Sequence, residues 1–138
     1  RCRKSFDLLE LPVSCSFEDS LREIDFGTWE NRSFEHIYRQ DRRNMQRWFD
    51  LKERFIFPGG DSISEFSFRV KDWFEKLKNQ RYKNVLVVSH AGVIRHAITH
   101  LLGLEIKYAD QFEICEGHVS LLSVDENFAV LKFLNRNS

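Results

Sequence analysis

His90 is the residue whose position, more than its type, suggests chemistry. It stands in the stretch 84–92, Asn-Val-Leu-Val-Val-Ser-His-Ala-Gly, where four consecutive apolar residues give way to Ser89, the histidine, an alanine and a glycine. A short β-branched apolar run bounded by polar residues has the pattern of a strand buried on both faces. A new apolar periodicity starts at Val93, so the histidine falls where a strand hands over to a helix. Ligands of open α/β sheets bind just beyond the carboxyl ends of strands, and a helix N-terminus in that place favours anions. Ala91 and Gly92 are small enough to let backbone N–H groups approach an anion closely. A histidine at a strand end can equally serve the fold alone.

Other side chains compete for a chemical role. In 21–27, Leu-Arg-Glu-Ile-Asp-Phe-Gly, an extended backbone puts Leu21, Glu23 and Asp25 on one side, an unusual grouping for a surface strand. The plain alternative is a solvated loop. His96 and His100 are four apart and share a helix face, a spacing that zinc sites use, and with His90 they could make a trio. Against that, Arg95, His96, Thr99 and His100 form the polar stripe of an otherwise apolar helix, as a solvated face does. No carboxylate accompanies them at a metal-binding spacing, so no metal and no other cofactor is expected. His36 and His118 belong to no constellation and are expected at the surface or in support behind a site. The chain has no phosphate-cradling Gly-x-x-x-x-Gly-Lys, no Gly-x-Gly-x-x-Gly, no Cys with Arg six positions on, and no Gly-x-Ser-x-Gly.

The elements that must position these groups fit one domain, since 138 residues can bury one real core but not two. Twenty-one basic and 21 acidic residues balance, which argues against nucleic acid or a membrane surface as partner. No apolar run nears the roughly 20 residues that cross a bilayer, and no signal-peptide pattern opens the chain. Cys2, Cys15 and Cys115 fit neither a disulfide framework nor a zinc knuckle, as expected of a cytoplasmic protein. Most of the 13 Phe and three Trp are expected in the core. The chain opens on Arg-Cys-Arg-Lys, in what reads as the middle of a helix, so an N-terminal piece is expected to precede it.

In order, residues 1–10 read as a helix that Pro12 ends, and 12–18 as weakly patterned. Residues 31–53 carry apolar side chains at helical spacing, with a break near Asp41. Phe57-Pro-Gly-Gly60 is a loop, and Ser62 and Glu65 have capping-box spacing before a helix running to about Asn79. A central strand at 84–90, a helix at 92–102 stopped by Gly103, and a hairpin of 118–124 with 128–134 around Asp-Glu-Asn complete the chain. Lys132 and Arg136 can protect the exposed edge of that hairpin. The expected architecture is an α/β/α three-layer sandwich, its central sheet mostly parallel with an antiparallel C-terminal hairpin or edge strand.

Four segments, in order along the whole chain, carry a resemblance to a known family. Ser89-His90-Ala91-Gly92-Val93-Ile94-Arg95 resembles the second histidine motif of the histidine phosphatase (phosphoglycerate mutase-like) superfamily. Leu21-Arg22-Glu23-Ile24-Asp25-Phe26-Gly27-Thr28-Trp29-Glu30 is similar to its acid segment, in the form of the α-ribazole phosphatase branch. Phe57-Pro58-Gly59-Gly60-Asp61-Ser62 is similar to the Pro-Gly-Gly-Glu-Ser loop of that branch, with Asp61 where the branch tends to have Glu. Arg1-Cys2-Arg3-Lys4-Ser5 resembles the end of a Ser-x-Leu-x-Arg-x-x-x-Thr segment, followed by Phe6 where Ala is usual.

The resemblance implies two-step phosphoryl transfer on a small phosphorylated metabolite, α-ribazole 5′-phosphate being one candidate. A histidine of an Arg-His-Gly motif takes the phosphoryl group and water then releases it. Arg1 and the Ala91 turn would bind phosphate, His90 would stabilise charge on the transferring group, and Glu23 would act as general acid, without metal. No Arg-His-Gly occurs here, and in family order it lies upstream of Arg1 with the first strand and helix. The 138 residues alone are therefore expected to be inactive. A non-catalytic phospholigand-binding or interaction protein on the same fold, a mutase-type phosphotransferase, and a metal-dependent hydrolase using His96 and His100 remain open readings.

Overall fold

The computed structural model describes residues 1–80, 82–126 and 128–137. Five α-helices and one hairpin are present among them: α1 (Cys2–Leu8), α2 (Phe34–Gln40), α3 (Arg42–Leu51), α4 (Ile63–Lys78), α5 (Ala91–Leu101), β1 (Val119–Val124) and β2 (Ala129–Arg136). The chain divides into two compact units, one of residues 1–23 with 70–138 and one of residues 24–69.

In the unit 24–69, local chemistry sets the helix ends. The Ser33 hydroxyl accepts from the His36 N–H at 3.2 Å and caps α2. The break between α2 and α3 falls at Asp41, whose carboxylate accepts from Trp29 Nε1 at 3.0 Å and from Asn44 Nδ2. Those two hydrogen bonds, the Trp29 one first, hold the Asp41 carboxyl below the ordinary carboxylate range. Trp29 also meets Trp48, Phe55 and Phe57 at centroid distances of 5.9, 5.6 and 5.5 Å. Met45, Phe55, Phe57 and Phe66 are buried with it.

The segment expected to alternate as a strand, 21–27, does not. It lies between two single 3₁₀ turns, Asp19–Leu21 and Gly27–Trp29, so the loop reading holds. Asp25 Oδ1 turns back onto the Gly27 N–H at 2.7 Å. This is the hydrogen bond with which Asp competes against extended structure. The Pro-Gly-Gly loop is stitched to it: Thr28 N–H donates to the Pro58 carbonyl at 2.9 Å and Asp61 N–H to the Asp25 carbonyl at 2.8 Å. Gly27 has φ +57° and a Cβ there would overlap the Pro58 carbonyl oxygen, so only glycine fits.

In the unit 1–23 with 70–138, α5 ends in a Schellman motif. Leu104 N–H reaches the Thr99 carbonyl at 2.9 Å and Gly103 N–H the His100 carbonyl at 3.0 Å, with Gly103 at φ +69°. Val93, Ala97, Ile98 and Thr99 form its buried face. The hairpin is antiparallel, pairing Leu122 with Leu131 and Val124 with Ala129 and shifting register on either side of Leu121. Asn127, part of the expected turn, lies outside the described residues.

One expectation has no counterpart among the described residues, and another is corrected. Residues 84–90 form no ladder with another segment among the described residues, where the sheet is two-stranded and antiparallel. A strand exists only through a partner's hydrogen bonds, and here Val85 and Leu86 are 47% and 55% exposed. The aromatic residues are also less interior than expected: Phe17, Phe34, Phe49, Phe68 and Phe128 are exposed.

Candidate active site

The residues singled out by type and spacing meet at the N-terminus of α5. His90 has extended backbone angles, φ −105° and ψ 161°, and its carbonyl accepts the first helical bond from Ile94 N–H at 2.9 Å. It is the N-cap by its backbone, which leaves the imidazole to other partners. Ala91 and Gly92 are the first two helical residues, with the amide groups that face an anion at a helix start.

The acceptor found there belongs to the protein. Gly92 N–H donates to Glu23 Oε2 at 3.1 Å, so a part-buried carboxyl group lies at the start of α5. Glycine is required for that approach: a Cβ at position 92 would overlap Glu23 Oε1 and lie 3.1 Å from the carboxyl carbon. One turn earlier, Ser89 Oγ donates to the Leu21 carbonyl at 2.9 Å. Two hydrogen bonds thus join the 21–23 segment to the turn that carries His90.

On its other side His90 Nε2 lies 3.4 Å from Cys2 Sγ, the first residue of α1. Arg1 is the exposed N-cap of that helix. The structure therefore brings Glu23, His90 and Ala91 together, with Arg1 one residue from the contact. The contacts of Cys2 and Ser89 carried no sequence signal. Gly92 carried one, although its close approach serves the protein's own carboxylate rather than an external anion.

The polar stripe on α5 is not a solvated face. Thr99 is fully buried with Oγ1 donating to the Arg95 carbonyl at 2.7 Å, and Arg95 Nε donates to the Phe112 carbonyl at 2.9 Å. His100 Nε2 meets Glu75 Oε1 at 2.6 Å, and Lys78 Nζ reaches the same oxygen at 2.8 Å. His96 is half-buried, and desolvation pushes its pKa down to about 4 against the opposing charge of Asp110. Each polar group on the stripe has a partner or is held neutral, which periodicity alone does not reveal. Among the described residues no three of His, Cys, Asp and Glu converge in a way that could hold a metal ion. His36 and His118 are exposed, as expected.

Burial of His96 makes stability depend on pH. Between the ordinary histidine pKa near 6.5 and the folded value of about 4, the unfolded chain binds a proton that the folded chain refuses. Stability is then fully present above pH 6.5 and falls as the pH drops toward 4, by up to about 3 kcal/mol. Urea unfolding at pH 7 and pH 4.5 should show most of that loss, and equal midpoints would contradict it.

Comparison with known proteins identifies the family. Residues 1–137 match the model of the histidine phosphatase superfamily (branch 1). The adenosylcobalamin/alpha-ribazole phosphatase of Escherichia coli (strain K12) is 33% identical over 127 residues, covering 91% of this chain and 62% of that protein. Phosphoserine phosphatase 1 of Hydrogenobacter thermophilus is 28% identical over 119 residues, covering 86% of this chain and 56% of its own length. The alpha-ribazole phosphatase structure from Shigella flexneri superposes with a TM-score of 0.80 at 28% identity, over 95% of this chain and 66% of that one. The chain thus spans about three fifths of the length of the curated relatives it matches. With the family model matched over residues 1–137 and a relative 33% identical over 91% of this chain's length, the chain belongs to the histidine phosphatase superfamily.

Proposed function

We propose that the protein to which this chain belongs hydrolyses a small phosphomonoester through a phosphohistidine intermediate, with α-ribazole 5′-phosphate as the first candidate substrate. The observation that supports this most is the meeting of Glu23 and His90 at one helix N-terminus, through Gly92 N–H and the Ser89 to Leu21 bond. The identity to an adenosylcobalamin/alpha-ribazole phosphatase supports the substrate class. In this reading the chain is one domain with the upstream segment, residues 84–90 are a strand of a mostly parallel sheet in a three-layer sandwich, and the nucleophilic Arg-His-Gly histidine lies upstream.

The roles follow from the groups' chemistry. Arg1 offers a planar fork of donors to phosphate oxygens, and Ala91 N–H adds a fixed one. His90 donates to the phosphoryl group as charge spreads over its oxygens in the transition state. The upstream imidazole bonds to phosphorus while the bond to the leaving oxygen breaks, and Glu23 gives that oxygen its proton. In the second step Glu23, now ionised, takes a proton from the attacking water, and the P–N bond breaks to release phosphate and the free histidine. The reaction needs positioned donors and one acid, so no metal enters it.

A second reading, phosphoserine as substrate, is favoured by the identity to phosphoserine phosphatase 1. Turnover of the full-length protein on α-ribazole 5′-phosphate, phosphoserine and 3-phosphoglycerate separates the two readings and tests for mutase activity. Glu23→Gln should slow alkyl phosphate hydrolysis by about 10²-fold and nitrophenyl phosphate, whose leaving group needs little protonation, far less. Equal losses on both would remove Glu23 from the acid role.

A further inference from the structure

The contact between Cys2 and His90 has no part in the scheme above. The two residues are 88 positions apart, yet Cys2 Sγ lies 3.4 Å from His90 Nε2 in part-buried surroundings, within hydrogen-bond range for sulfur. Neutral imidazole has one donor and one acceptor nitrogen, and the partner each nitrogen meets decides which is which. A thiol is a weak donor and a weak acceptor, whereas an unprotonated imidazole nitrogen is a good acceptor. The favoured arrangement is therefore S–H donating to Nε2, with the ring proton on Nδ1.

The backbone around His90 is already fixed. Its carbonyl begins the α5 ladder, and the preceding hydroxyl, Ser89 Oγ, is bound to the Leu21 carbonyl. What remains free is rotation about the two side-chain torsions, and χ2 of histidine has two broad wells that exchange the places of Nδ1 and Nε2. We propose that Cys2 is a positioning residue for His90, its thiol holding the ring in one of those wells and in the Nδ1–H tautomer. A nitrogen of defined protonation then faces the phosphoryl group whenever substrate arrives.

This rests on the assignment of His90 above only for its consequence in turnover, because the ring itself can be observed without substrate. Long-range ¹H–¹⁵N spectra of the full-length protein, labelled at histidine and recorded at mildly alkaline pH, read the tautomer directly. Wild type should show a protonated Nδ1 and an unprotonated Nε2. Cys2→Ala should move both shifts toward averaged values, and Cys2→Ser, which keeps a donor in the same place, should restore the wild-type pattern. In turnover, Cys2→Ala should lower kcat by about 10-fold with KM little changed, and Cys2→Ser should recover most of it. Identical ring spectra for wild type and Cys2→Ala would overturn the proposal. If His90→Ala leaves turnover intact while Cys2→Ala averages the ring shifts, the phosphatase assignment fails and the positioning contact stands. The opposite pair of results removes the positioning role alone.

Discussion

His90→Ala in the full-length protein is expected to lower phosphatase turnover by about 10³-fold with little change in the unfolding midpoint. The two halves of this expectation come from separate parts of the residue. The backbone of His90 is the N-cap of α5, and no side-chain capping bond comes from the imidazole, so truncation leaves the helix start intact. Among the described residues the side chain's hydrogen-bond contact is the one with Cys2, a weak sulfur bond whose loss costs little. Catalysis depends on the ring in a different way. A positioned donor to a transferring phosphoryl group acts where charge develops, and removing one such donor typically costs two to three orders of magnitude. The measurement is steady-state turnover on the best substrate, beside circular dichroism and a urea titration. Turnover near wild type would remove His90 from the phosphate site. A parallel collapse of both turnover and folding would show that the imidazole holds the helix start, contrary to its geometry.

The parts of the molecule legible in the sequence are those with local causes. The helices α2 to α5 lie close to where apolar spacing put them, because helix hydrogen bonds join residues four apart and need no distant partner. The break at Asp41, the stop at Gly103 and the C-terminal hairpin were legible for the same reason. The run at 84–90 is of another kind, since its apolar residues can be a strand only by pairing with another segment, and none pairs with it among the described residues. Site geometry divides in the same way. His90 and Glu23 were identified by motif, but Leu21 with Ser89, Glu23 with Gly92 and Cys2 with His90 join residues 68, 69 and 88 positions apart. The α5 polar stripe shows the reverse error. Spacing put its polar groups on one face, and only the elements packed there, with Glu75, Asp110 and the Phe112 carbonyl, explain why that face is not open to solvent.

Gly92→Ala tests whether the site depends on the packing of Glu23 against α5. The added methyl would overlap Glu23 Oε1, so the carboxylate must leave the Gly92 N–H or the helix start must shift. Gly92 is the second residue of α5, and its backbone is not among those at positive φ, so the substitution brings no backbone strain of its own. In an open helix, glycine to alanine would stabilise by up to about 1 kcal/mol. Here the overlap and the lost hydrogen bond should outweigh that gain and leave a net destabilisation of about 1–3 kcal/mol. Turnover should fall by about 10²-fold through displacement of the acid. A double-mutant cycle isolates the cause, because the cost is assigned to one pair of residues. With Glu23 already truncated to alanine the obstruction is gone, and Gly92→Ala should become neutral or mildly stabilising in a urea titration. Gly103→Ala serves as the contrast: no atom lies within 4 Å of its Cβ, but φ of +69° makes any side chain strained. Its penalty should stay the same whether or not Glu23 is present. If Gly92→Ala costs as much in the Glu23→Ala background as in wild type, the requirement for glycine comes from the helix backbone, and the hold on Glu23 must be assigned elsewhere.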